Sequence, residues 1–189
     1  MPSTRLLVRQ TALRILADPT VGFNAHLAAI AASYGIAQPF AINWTPGSQN
    51  FFQGYVAPDH IEQTDLLPAG DGVCVAMYTS QSQTNSGDER QKPSTFSGKI
   101  LLHVDFYFRR STLNLLRQGA KLPGDDSGDL DSLPDAVEDA FLQTVMAPHA
   151  GWAPVSFNGD FSCAREPFAF LGDGWQQRLP FILLTEVHL

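Results

Sequence analysis

The chain has 189 residues, 44% of them hydrophobic and only 16% charged, and its 12 basic against 19 acidic residues leave a formal charge of −7. A chain of this size can bury about 70% of its extended surface, enough for one domain with a proper core. An aromatic content of 11% with the low charged fraction argues against intrinsic disorder and coiled coil, and a pI near 5.0 speaks against a nonspecific nucleic-acid binder, whose affinity needs clustered Lys and Arg. The low charged fraction also suggests that part of the surface is covered by something else.

The acid excess is local. Leu122 to Ala164 contains no Lys or Arg, whereas Asp125, Asp126, Asp129, Asp131, Asp135, Glu138, Asp139 and Asp160 fall within it, so the remainder is almost neutral. Such asymmetry concerns partners and repulsion rather than fold. No run of 18 apolar residues predicts a membrane span, and the opening MPSTRLLVRQ lacks the apolar stretch of a secretory signal. Cys74 and Cys163 form no disulfide framework, and a reduced, cytosolic setting is expected.

Residues 4–17 predict an amphipathic helix with Leu6, Leu7, Leu13 and Leu16 on one side and Arg5, Arg9 and Arg14 mostly away from it, ended by Asp18-Pro19. A second helix is expected from an Asn24 cap to Ser33 or Tyr34, with Leu27, Ile30, Ala31 and Tyr34 at helical spacing, Gly35 at its end and an alanine-rich face for close packing. Gln38 to Pro68 reads as irregular structure or short strands. Gly72 to Tyr78 predicts a buried strand, and Thr79 to Ser94, which has no large apolar residue, an exposed mobile loop.

Phe96 to Arg109 alternates Ile100, Leu102, Val104, Phe106 and Phe108 against Lys99, Leu101, His103, Asp105, Tyr107 and Arg109, the pattern of a strand with one buried face. Gly119 to Ser132 is a second polar loop. Leu133-Pro134 opens a helix with Ala136, Val137, Ala140, Phe141 and Val145 as its apolar face, and Pro148 stops it. From Val155 onward the chain reads as strands, Phe161 to Phe170 and Leu179 to Leu189 joined at Leu171-Gly172-Asp173-Gly174, with Pro180 at the start of the last strand. The expected architecture is α+β, an antiparallel or mixed sheet with helices packed on one face and long polar loops. The whole of 1–189 is expected to be a single domain, with an N-terminal helical segment at 4–35 and a sheet-and-helix core over about 70–189.

Local chemistry is sparse. His26, His60, His103, His149 and His188 show no zinc-protease spacing, the cysteines form no C-x-x-C pair, and Walker, G-x-G-x-x-G and G-x-S-x-G motifs do not occur. No cofactor, metal or catalytic residue is predicted. Cys163 with His149 upstream is readable as a nucleophile and base, but packing explains a free cysteine more simply. The acidic run beginning at Asp125 fails as a calcium loop, since Leu130 stands at the sixth position and Ala136 at the twelfth. Among Trp44, Trp152 and Trp175, the last could anchor a partner at a hairpin tip or pack in the core.

The order of an amphipathic N-terminal helix, a strand pair ending in GKILLHVDFYFRR, a helix LPDAVEDAFLQTV and a closing hairpin GDGWQQRLPFILLTEV resembles the tail terminator (tail completion) proteins of long-tailed bacteriophages. The likeness covers about two thirds of the chain and rests on layout. The resemblance implies a non-enzymatic virion protein made in the host cytoplasm, a homo-oligomeric, hexameric ring that caps the tail tube. Its implied partners are the tail tube protein and the neck or connector, with the tail sheath as a further candidate; DNA passes through without specific binding. Asp125, Asp126, Asp129, Asp131, Trp175, Arg178, Arg109 and Arg110 are the candidate lumen or interface residues. Other neck or tail components, such as a head-tail adaptor, a minor tail protein or a baseplate or sheath initiator, remain open. So does an enzyme or ligand-binding domain with a nonlocal site.

Overall fold

A computed structural model describes residues 4–33, 37–48, 50–54, 73–84, 97–109, 132–147, 150–163, 169–171 and 174–188. Two helices, α1 (Thr4–Leu16) and α2 (Phe23–Ser33), precede strands β1 (Phe51–Gln53), β2 (Val73–Thr84) and β3 (Ser97–Arg109). Helix α3 (Ser132–Met146) and strands β4 (Val155–Cys163), β5 (Ala169–Leu171) and β6 (Gly174–His188) follow. The strands form one mixed sheet in the order β1-β2-β3-β6-β4, with β5 paired to the start of β6. Among the described strands only β1 and β2 run parallel. The fold is α+β, with the described helices against the sheet.

The alternation of β3 sets the core. Ile100, Leu102, Val104, Phe106 and Phe108 are buried and pack with Val73, Val75 and Met77 of β2 and Leu179, Phe181 and Leu183 of β6. Over this layer lie Val8, Ala12 and Leu16 of α1, Phe23 and Leu27 of α2, and Val137, Ala140, Phe141 and Val145 of α3. Phe106 is the aromatic hub, with ring centroids 5.0 Å from Phe23, 6.1 Å from Phe141 and 5.8 Å from Phe181.

Several expectations need correction. Helix α1 forms where its period places it, but it buries Val8, Thr11, Ala12, Ile15 and Leu16 and leaves Leu6, Leu7 and Leu13 half-buried. Stripes through either set obey helical spacing, and the sheet selects the one with smaller side chains. Asn24 lies inside α2 and does not cap it. Its side chain donates to Ile42 O (2.8 Å) and accepts from Ile42 N (2.9 Å), clamping the irregular segment to the helix. The helix start is built by Asp18, whose carboxylate accepts from the Thr20 and Val21 amides, and by Gly22, whose carbonyl accepts from His26 N. A Cβ on Gly22 would meet Asp18 O and lie 2.7 Å from both Asp18 N and Leu16 O, all backbone atoms. Gly22→Ala is therefore expected to destabilise the fold by about 2 kcal/mol, an overpacking cost that urea unfolding would read.

Strand β2 does not end at Tyr78. It continues to Thr84, opposite Gly98, through a register irregularity between Thr79 and Ser82. The expected mobile loop is thus strand over 79–84, because β3 is long enough to supply partners to polar residues that no apolar pattern announces; the rest of that loop lies outside the described residues. Pro180 stands in mid-strand, opposite Asp105 of β3. On its other side β4 ends at Cys163 opposite Phe181 and β5 begins opposite Gln176, so the missing N–H falls in a gap between those ladders. The strand expected over Phe161–Phe170 is instead split, with β4 starting earlier at Val155 and β5 holding only three residues.

Asn50 secures β1: it donates to Ala41 O and accepts from Asn43 N through its side chain, while its carbonyl accepts from Val75 N at 2.9 Å. Arg14 of α1 donates to the carbonyls of Gly151 and Ala153, tying α1 to the connection between α3 and β4.

Candidate functional site

Alternation that buries one set of β3 side chains sends Lys99, Leu101, His103, Asp105 and Tyr107 to the opposite face. Their cross-strand partners on β6 are Glu186, Leu184, Ile182, Pro180 and Arg178, and on β2 Cys74, Ala76 and Tyr78 stand opposite Tyr107, Asp105 and His103. Burial along this face is graded. Cys74, Ala76, Asp105 and Tyr107 are 0–1% exposed, and Cys74, Ala76 and Tyr107 form a second small cluster with Phe52 beside them. Toward the other end Tyr78, Ser80, Leu101, His103, Ile182 and Leu184 are only half-buried.

A polar network crosses three strands at the boundary. The fully buried Asp105 accepts through Oδ2 from Arg178 (2.9 Å) and from the Tyr78 hydroxyl (3.1 Å). Arg178 is directly opposite Tyr107, so its bond to Asp105 is a diagonal contact of the kind long side chains make across paired strands. Asp105 Oδ1 has no hydrogen-bond partner among the described residues. Tyr78 stacks on His103 with centroids 4.6 Å apart and planes within 6°, and His103 Nε2 lies 2.6 Å from Ser80 Oγ.

Electrostatics fix the protonation states. Burial, with the charge and hydrogen bond of Asp105, pushes the Tyr78 phenol up to about 12, so it remains a donor. Burial and Asp105 raise Tyr107 as well. His103 is lowered, chiefly by burial and further by Arg178, against an opposing pull from Asp105. The imidazole is neutral at pH 7. Because its folded pKa lies below the ordinary 6.5, the unfolded chain takes up the proton first as pH falls, and stability drops below that point. Tm measured from pH 8 to about 5 is expected to fall below pH 6.5, and His103→Gln to flatten that part of the profile.

Ser80 beside a neutral His103 has the form of a nucleophile and its base. The third member of such a unit is not provided by Asp105, which makes no hydrogen bond to His103 and gives Oδ2 to Tyr78 and Arg178. Cys163 is no better placed for catalysis: burial and the neighbouring Glu138 push its thiol up to about 12, leaving little thiolate at neutral pH. A pocket of about 140 Å³ lies between the end of α1 and the α3–β4 connection. Its polar side chains are already engaged, Arg14 with two carbonyls, Asp18 with Thr20 and Val21, and Thr144 with Ala140 O. Among the described residues no group of three or more His, Cys, Asp and Glu side chains could hold a metal ion.

Of the sequence-predicted residues, Arg178 is in the network. Arg109 closes β3 opposite Gln176, and Trp175 stands opposite Phe170, one residue into β6. Arg110, Asp125, Asp126, Asp129 and Asp131 lie outside the described residues. Trp44 is core, edge-on to Phe23 and Phe51, and Trp152 donates to Val145 O. Sequence reasoning did not single out Tyr78, Ser80, His103 and Asp105. The available signal was Asp105 itself, a carboxylate inside the run VDFYF that a sheet interior tolerates only when paired.

No protein-family model matches the chain, and no curated protein matches it significantly. No described helix is long and apolar enough to cross a membrane.

Proposed function

We propose that this chain is a structural subunit of a phage virion, a tail terminator that forms a ring on the end of the tail tube and joins it to the neck. The observation that supports this best is the sheet with helices on one face and a half-open opposite face, stiffened by the Asp105–Arg178–Tyr78 network. A rigid subunit with a partly apolar sheet face that is only half-buried at one end is suited to stacking against other subunits. The small charged fraction agrees with surface hidden in an assembly, and the net charge of −7 suits a channel that DNA crosses without adhering. The test is to add the purified protein to unterminated tail tubes, with mass measurement in solution and electron microscopy of the tube ends. A closed oligomer, expected to be hexameric, should cap the ends; a strict monomer that never binds tubes would sink the proposal.

The 2.6 Å contact between Ser80 and His103 favours a second reading, an acyl-transfer enzyme. Covalent labelling of Ser80 by a fluorophosphonate, abolished in Ser80→Ala, would support it, and absence of labelling would remove it.

A further inference from the structure

We propose that copies of this chain join head to tail, the Met146–Phe161 corner of one copy seating on the Leu101–Ile182–Leu184 strip of the next. This rests on the ring reading and names its interface. Met146 and Phe161 are 50% and 38% exposed, the large hydrophobic side chains most open to solvent among the described residues. Both border one feature. Strand β4 bulges between Phe157 and Phe161, Gly159 takes φ +86°, and the Met146 methyl lies 3.2 Å from where a Gly159 Cβ would stand. Phe161 is opposite the inward-facing Leu183, so the corner belongs to the helix side of the sheet, at its β4 edge.

The bulge decides the mode of contact. A bulged edge is a poor template for strand addition, which leaves side-chain docking as the use of this corner. The strip has the complementary character. Leu101 and Leu184 are direct cross-strand partners, Ile182 is the next residue of β6 on that face, and all three are half-buried while the other end of the face is closed.

Charge favours the same pairing. Asp160, next to Phe161 in β4, is exposed and lies within a stretch that contains no Lys or Arg. The strip ends at Lys99, whose ammonium is 3.3 Å from Glu186 and whose side chain is 48% exposed, leaving donors for a second carboxylate. Corner and strip lie on different faces, so one copy cannot satisfy both through a two-fold contact. The interface is heterologous, the kind whose repetition makes a ring when the rotation between copies closes, as the ring reading requires.

The test uses full-length Phe161→Asp and Leu184→Lys, with Leu101→Lys as a second strip variant should Leu184→Lys fail to fold by circular dichroism. Solution mass is measured for each alone and for a one-to-one mixture. Each variant alone is expected to be monomeric, with association weakened about thirtyfold or more, as for loss of an interface anchor. The mixture should form heterodimers, since the intact corner of the strip variant can meet the intact strip of the corner variant and nothing can extend the pair. Folded variants that keep the wild-type oligomer, or a mixture that stays monomeric, would overturn this interface while leaving the ring reading standing. A wild-type chain that is itself monomeric and ignores tail tubes would overturn both.

Discussion

Arg178→Met is expected to lower stability by about 3 kcal/mol in urea unfolding, near the lower end of the cost of breaking a buried ion pair. Asp105 is fully buried, and its Oδ2 would retain only the Tyr78 hydroxyl. The guanidinium side chain, 24% exposed, gives up some solvation to make the bond, which is why the upper end of the range does not apply. The double variant Arg178→Met, Asp105→Asn should lose clearly less than the sum of the single changes, because neither charge is then stranded. Additive losses would show that the pair contributes nothing beyond its separate members. The same variants bear on assembly, since His103 and the half-open strip adjoin the network.

Phe106→Ala should cost about 4 kcal/mol and lower Tm by about 10 °C. The ring touches aromatic side chains from α2, α3 and β6, and Phe141 and Phe181 stack at 4.0 Å beside it. Truncation would open a void bounded by three elements that cannot all close in, so the cavity cost adds to the lost burial. Against a typical total of about 5–15 kcal/mol this is a large share. A loss below about 2 kcal/mol, read by calorimetry, would mean that the helices can settle onto the sheet.

Strand β3 and helix α3 were legible because each repeats its period over many residues and one face is strongly apolar. Strand β2 was legible only to Tyr78, where its own pattern stops; the extension to Thr84 is paid for by β3 and leaves no trace in the composition of 79–84. Helix α1 was legible as a helix but not as a face, since two stripes of similar apolarity compete.

By itself the sequence determined an α+β fold, the core face of β3 and the concentration of acid between Leu122 and Ala164, because periodicity and charge are local properties. Only the tertiary structure decided that Arg178 meets Asp105 across 73 positions, that Ser80 meets His103, and that Met146 packs over Gly159 in the irregular stretch of β4. Those pairings depend on register between strands distant in the chain, and register is fixed jointly by core packing and ladder geometry rather than by any one segment.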